Sequence, residues 1–124
     1  MNIIEILNYC LKKNKTYVDH PFHDETICVK VDTGKYTPIF AQLFKLKDED
    51  KLTLKCDMWF GLHYRELYPE SIRRGYHCPP VQQPYWNTID LDGSVPDDEI
   101  IMMIDHAYDV IISKLPKYIQ KTFQ

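Results

Sequence analysis

The residues with the widest chemical reach lie between positions 52 and 93, where both tryptophans and all three arginines fall. Arg73 and Arg74 precede Gly75, Tyr76 and His77, with Tyr68 before them and Tyr85 and Trp86 after. A guanidinium can take two phosphate oxygens at once and an aromatic face can stack on a base, so this interleaving suits nucleic acid. The same aromatic types are also ordinary strand residues that pack a core, with the arginines solvated at a turn. His77 and Asn87 form a second candidate. Each stands beside an aromatic on an expected strand, and a His–Asn hydrogen bond could orient an imidazole for binding or proton transfer. The pair could equally tie the proline-rich stretch 79–84 to a sheet. No third partner is visible, so no catalytic role is assigned.

Other combinations point to less. His20 and His23 have an H-x-x-H spacing with Asp24 adjacent, but a metal would need further ligands from elsewhere, so none is expected. Asp105 and His106 fall at the edge of an apolar helix face, with Tyr108 on that face. Nucleophile motifs, phosphate-cradling glycine loops and nucleotide fingerprints are absent from a chain with four glycines. Neither an enzyme nor a cofactor is expected. Cys10, Cys28, Cys56 and Cys78 contain no C-x-x-C spacing, which argues against a zinc or redox pair.

The charge balance narrows the partners. The formal net charge is −3, whereas duplex-binding domains are more often basic because counterion release drives their affinity. Seven acids and no Lys or Arg lie between residues 90 and 109. Five lysines against three acids lie between 35 and 55. Nucleic acid should therefore avoid the start of the last helix and meet the hairpin lysines Lys45, Lys47, Lys51 and Lys55, or the Arg73–Arg74 turn.

The elements that must position these residues follow from periodicity. Residues 2–13 read as an amphipathic helix with Ile3 or Ile4, Leu7 and Leu11 on one stripe. A polar loop follows to Asp24. Residues 26–31 and 39–46 read as strands, joined by an Asp32–Thr33–Gly34–Lys35 turn. A charged hairpin connection, 47–51, leads to a strand in which Leu52, Leu54 and Cys56 alternate with polar residues. Asp57 is placed to cap a helix carrying Phe60, Tyr64 and Leu67, which Pro69 ends. Residues 85–91 form another strand, and Ser94, early Pro96 and three acids mark the start of the last helix. Its apolar face is Ile100, Ile104, Ala107, Tyr108, Ile111, Ile112 and Leu115; Pro116 interrupts it. The expected fold is α+β: an antiparallel sheet of about five strands, N- and C-terminal helices on one face, one helix inserted between strands, and the other face at least partly open. At 124 residues the chain suits a single domain, 1–124, with one core. No apolar run reaches the roughly 20 residues of a membrane span. The N-terminal lysines follow the apolar part, the reverse of a signal peptide, so a cytoplasmic location without membrane partners is expected.

An ordered string of motifs carries a resemblance: LKCD at 54–57, R-E-x-Y-P at 65–69, G-Y-H at 75–77, W-N-T-x-D-L-D-G at 86–93, V-P-D at 95–97 and D-H-x-Y-D at 105–109. Over 21–115 the chain resembles the MmcQ/YjbR family of small bacterial proteins. The resemblance implies a frataxin-like (CyaY-like) fold and a DNA-binding label. It departs at Ala107, where the family usually has Ser. The expectation is a small binding protein that contacts DNA through Lys45, Lys47, Lys51, Lys55, Arg73, Arg74, His77 and Trp86. The rival is a module that takes a small molecule or a protein partner on Tyr76, His77, Tyr85, Trp86 and Asn87.

Overall fold

The computed structural model describes residues 1–75 and 78–124. The elements run α1 (Ile3–Leu11), β1 (Thr16–Asp19), β2 (Ile27–Val31), β3 (Ile39–Leu46), β4 (Glu49–Lys55), α2 (Met58–Leu67), β5 (Ile72–Arg74), a 3-10 turn (Gln83–Tyr85), β6 (Trp86–Asp90), α3 (Asp97–Ser113), α4 (Lys117–Gln120) and a closing 3-10 turn (Lys121–Phe123). The strands form one antiparallel sheet in the order β1-β2-β3-β4-β6-β5. This is the expected α+β class, with six strands instead of about five.

Both edge strands were hidden by their composition. β1 lies in the stretch read as a polar loop, because all four of its residues are half-buried and show no alternation. It pairs with β2, Tyr17 opposite Lys30. β5 contains the two arginines read as a turn; Ile72 is buried and Arg73 pairs with Thr88. The β3–β4 hairpin is tighter than the 47–51 connection expected. Lys47 and Asp48 turn the chain with φ of +52° and +65°, the conformation that a two-residue hairpin loop demands.

One sheet face carries the core. Val29, Ala41, Leu43, Leu52, Leu54, Ile72 and Ile89 pack there against Ile6 and Cys10 of α1 and Ile100, Met103, Ile104, Ala107 and Ile111 of α3. A register shift at Val29/Lys30 lets Phe40 join this face, where it meets Tyr108 edge-on at 5.7 Å. The buried stripe of α1 is Ile6 and Cys10, flanked by Ile3 and Leu7, not the expected line: Ile4 is 69% and Leu11 38% exposed. Leu67 of α2 likewise faces out. On α3, Met103 and Val110 join the expected face. Asp57 caps α2 as expected, accepting from Phe60 N–H at 2.8 Å. Ser94 does not cap α3: Pro96 occupies that position, and the Ser94 hydroxyl reaches Ser71 and Asp92.

The opposite face is polar but not bare. Thr53 and Thr88 are buried there and share a 2.8 Å hydrogen bond across strands. Phe22, Asp24, Thr26 and Cys78 line a cleft of about 220 Å³ with Gln42 of β3, so residues from two loops come over this face.

The topology fixes two ends. At one end lie the β3–β4 hairpin, the end of β6 and the acidic start of α3, where the N-terminal ammonium meets Asp97 at 2.6 Å. At the other lie the turn between β2 and β3, the end of β4, the start of β6 and the C-terminal end of α3.

Candidate functional site

The expected DNA-contacting set does not form one surface. Lys45, Lys47 and Lys51 belong to the hairpin end. Lys55 is four residues farther along β4, about 13 Å from Lys51 at strand rise. At the hairpin end, carboxylates take up the cations. Lys45 reaches Asp50 at 3.0 Å. Lys51 is 6% exposed and held by Asp90 at 2.7 Å and Glu49 at 3.2 Å; Asp90 first and Glu49 after it raise its pKa, with burial opposing them. Arg73 donates to Asp90 at 3.1 Å and to the Glu70 carbonyl at 3.0 Å. Lys51 is thus a structural cation, and Arg73 and Lys45 are paired ones. Lys47 is exposed on the turn, and Arg74 is exposed at the end of β5.

The Asn87 expectation is also corrected. Asn87 is buried, on the core face opposite Leu54. Its Oδ1 accepts from Arg65 Nη1 at 2.7 Å and its Nδ2 donates to the Gly61 carbonyl at 3.1 Å. Both amide groups are therefore committed to holding α2 on the sheet. A methyl on Gly61 would lie 2.6 Å from Cys56 Sγ and 3.0 Å from Arg65 Nη1, so the close approach requires glycine. Tyr76 and His77 lie outside the described residues.

At the opposite end, lysines rest on aromatic rings. Lys15 lies 4.6 Å from the Phe123 centroid and Lys35 5.5 Å from that of Tyr36. Lys55 lies 5.1 Å from the Trp86 centroid and 5.6 Å from that of Tyr85, and Lys114 approaches the same Tyr85 ring at 5.7 Å. Such contacts hold an ammonium in place without cancelling its charge. Among the described residues, no carboxylate forms an ion pair with Lys15, Lys35, Lys55 or Lys114. Lys13 does both, meeting the Tyr9 and Tyr108 rings and pairing with Asp105 at 2.7 Å. Burial, followed by the nearby Lys114 charge, pushes the Lys55 pKa down.

Local structure pre-positions these groups. Tyr85 is pinned to β4 because its carbonyl accepts from Cys56 N–H at 2.9 Å, and Lys55 stands opposite Trp86 in the sheet register. Gly75 N–H donates to the Trp86 carbonyl at 2.9 Å. In the turn that presents Lys35 and Tyr36, Asp32 Oδ1 accepts from Gly34 N–H at 2.9 Å, and buried Thr33 closes the loop onto Tyr36 with its backbone and hydroxyl. Gly34 takes a φ of +82° there, which a side chain would strain. Between this turn and the end of α3 opens a cleft of about 480 Å³, lined by Tyr36, Pro38, Lys55, Ile111, Lys114 and Leu115 among others.

The histidines serve structure where they are described. His106 stacks on Phe60 at 3.6 Å and its Nε2 accepts from Asp57 N–H at 3.1 Å; burial, the largest influence, lowers its pKa. His20 Nδ1 lies 3.2 Å from the Thr26 carbonyl, and Asp24 accepts from Thr26 N–H. Among the described residues no cluster of His, Cys, Asp and Glu suits a metal ion. Lys15, Lys35, Tyr36, Lys114 and Arg65 escaped the sequence reading. Lys114 looked like a dipole-compensating lysine at a helix end, and only the topology brings it to Lys55.

Comparison with known proteins places this geometry in a family. The family model described as YjbR matches residues 11–110. The uncharacterised protein YjbR of Escherichia coli (strain K12) is 24% identical over 117 residues, which span 94% of this chain and 92% of that protein. The crystal structure of Deinococcus radiodurans protein DR2400, a DUF419 domain, superposes with a TM-score of 0.89 at 27% identity, covering 98% of this chain and 87% of the other. L-2,3-diaminopropanoate–citrate ligase of Staphylococcus aureus is 24% identical over 120 residues, which are 94% of this chain but 19% of that enzyme.

Proposed function

The chain belongs to the YjbR family, and from that premise we propose that it is a nucleic-acid-binding protein whose contact surface is the end carrying Lys15, Lys35, Lys55 and Lys114. One observation supports this above the rest: these lysines lie on aromatic rings, while Lys45, Lys51 and Arg73 are answered by carboxylates. An unneutralised ammonium beside an aromatic face can take a backbone phosphate while the face accepts a base, the combination used on single strands. The surface proposed from sequence is thereby moved from the hairpin to the opposite end, keeping Lys55 and Trp86.

The cleft beside Lys55 favours a second reading, a small anionic molecule. Its roughly 480 Å³ falls within the range of small-ligand pockets, about 300–1,000 Å³. Either way the role is binding, not catalysis, since lysines on aromatic faces supply charge without a positioned acid–base pair. We extend the proposal to a cytoplasmic setting, which suits four free cysteines, and to a frataxin-like (CyaY-like) arrangement, which helices on one face of an antiparallel sheet support. No helix among the described residues is long and apolar enough to cross a membrane.

The test is a salt titration of binding to labelled single-stranded and duplex DNA. Lys15→Gln/Lys35→Gln should flatten the single-strand log–log salt slope by about 1.4, at about 0.7 per phosphate contact. Lys45→Gln/Lys47→Gln should leave it unchanged. Failure to bind at about 50 mM salt, where electrostatic association is strong, would overturn the proposal, as would an equal effect of the two pairs.

A further inference from the structure

We infer that the cleft between Lys55 and Lys114 is a seat for a terminal phosphate, a phosphomonoester attached to an aromatic or apolar group, in preference to the phosphodiesters inside a strand. The inference rests on the anion-binding reading above and names the ligand of the same end.

The first argument is charge. Lys55 comes from the end of β4 and Lys114 from the cap of α3, yet both ammoniums lie over the one Tyr85 ring, at 5.6 and 5.7 Å from its centroid. The negative end of the α3 dipole accounts for a lysine at position 114. It does not account for a second, half-buried lysine brought to the same ring. Two like charges so placed repel, and Lys55 also loses solvation; both effects favour its neutral form. A dianion relieves both at once. A phosphomonoester carries about −1.5 to −2 charges at neutral pH, against a single charge for a diester, so the pair of lysines suits the terminal group.

The second argument is the lining. The helix end that should repel an anion has been covered: the Gln120 side chain donates to the carbonyls of Leu115 at 2.7 Å and Ser113 at 3.3 Å, and the Lys114 backbone N–H turns back to Ile111 and Ile112. What remains toward the cleft is apolar, with Ile111, Leu115, Pro38 and the Tyr36 ring. That wall can pack a base or another ring but offers no group to hydrate a bare inorganic ion. Asp32 and Asp57 are the acids nearest this end in the chain, and each is engaged locally, Asp32 with Gly34 N–H and Asp57 with Phe60 N–H.

The ligand could be a free nucleotide or the phosphorylated end of a strand, and one experiment separates them. Fluorescence anisotropy is measured on a short oligothymidylate bearing either a terminal phosphate or a terminal hydroxyl, in phosphate-free buffer, for wild type, Lys114→Gln and Lys55→Gln. Calorimetry compares adenosine monophosphate with adenosine. Lys114 is exposed, so its variant should fold, which circular dichroism checks. The terminal phosphate should tighten strand binding about tenfold, one decade of affinity. Lys114→Gln should erase that advantage while leaving the hydroxyl strand bound as in wild type. Adenosine monophosphate should compete where adenosine does not. Monophosphate binding that needs Lys114, with no binding of either strand, would uphold the cleft, assign it to a free nucleotide and overturn the nucleic-acid proposal. Equal binding of the two strands would overturn the terminal-phosphate inference and leave nucleic-acid binding standing. Failure of every ligand would overturn both.

Discussion

Replacing Asn87 with Ala tests whether the polar group most suggestive of function in the sequence is in fact a structural clamp. Asn87 is 2% exposed and joins three elements: β6, on which it lies, and the Arg65 guanidinium and Gly61 carbonyl of α2. Truncation removes a hydrogen bond to a charged donor, worth roughly 1.5–3 kcal/mol. It also removes the amide donor to Gly61; that carbonyl lies inside α2 and keeps a helical partner, so this loss belongs at the low end, about 1 kcal/mol. Water reaches half-buried Arg65 and recovers part of the first loss, which brings the total to about 3 kcal/mol. For a domain of this size that lowers Tm by about 10 °C. Urea denaturation of wild type, Asn87→Ala, Arg65→Met and the double variant forms a cycle. The double variant should recover about 2 kcal/mol relative to the sum of the singles, because no guanidinium is then left unpaired. A loss under about 1 kcal/mol for Asn87→Ala, or additivity within about 0.5 kcal/mol, would refute the clamp and return Asn87 to the list of ligand-binding candidates.

Two further outcomes follow from the contacts around the site. Burial lowers the His106 pKa in the folded protein, so the unfolded chain binds the proton more readily; stability is complete above the usual histidine pKa of about 6.5 and is lost as pH falls through the lowered folded value. Protonation also removes the Nε2 acceptor from Asp57 N–H, so the urea midpoint should fall between about pH 7.5 and pH 5, and His106→Gln should fall less; equal slopes for the two would count against this account. At Gly75 an added methyl would lie 2.6 Å from Trp86 Cβ and 2.8 Å from Cys78 Sγ, so Gly75→Ala should cost about 1–3 kcal/mol by overpacking and change the near-ultraviolet dichroism of Trp86; a variant indistinguishable from wild type in both would show that the two segments do not approach this closely.

The sequence revealed those elements whose pattern has one dominant cause. The alternation of Leu52 and Leu54, the Asp57 cap and the broad apolar face of α3 each reflect burial on one side, and each is found where expected. β1 and β5 were obscured because an edge strand half-buried along its length carries no alternating signal, and because Arg73 and Arg74 resemble a turn when Ile72 is the only buried residue nearby. Ile4 and Leu11 misled because an apolar residue at helical spacing need not face the core. The site was harder still. Lysine is a loop residue by composition, and whether its charge is free depends on partners brought by the fold. Lys45, Lys51 and Lys55 look alike in the chain; the first two face Asp50 and Asp90, and the third faces Trp86.

That difference also changes what the net charge means. A value of −3 argues against binding a polyanion only if the charges act as one sum, and here they are separated along the strands. β3, with eight residues, spans about 26 Å at strand rise, from the hairpin to the turn that bears Tyr36. The screening length at physiological salt is about 8 Å. A phosphate arriving at Lys55 is therefore shielded from Asp97, Asp98 and Glu99 at the start of α3, while the ammoniums of Lys35, Lys55 and Lys114 act directly. The acids also answer the cations at their own end, Asp50 with Lys45 and Asp90 with Lys51 and Arg73, so they are not available to cancel those at the other. An acidic protein with its uncancelled lysines gathered on aromatic rings at one end would present that end to an anion and turn the acidic end away. The net charge then governs orientation at long range, and the local lysines govern binding.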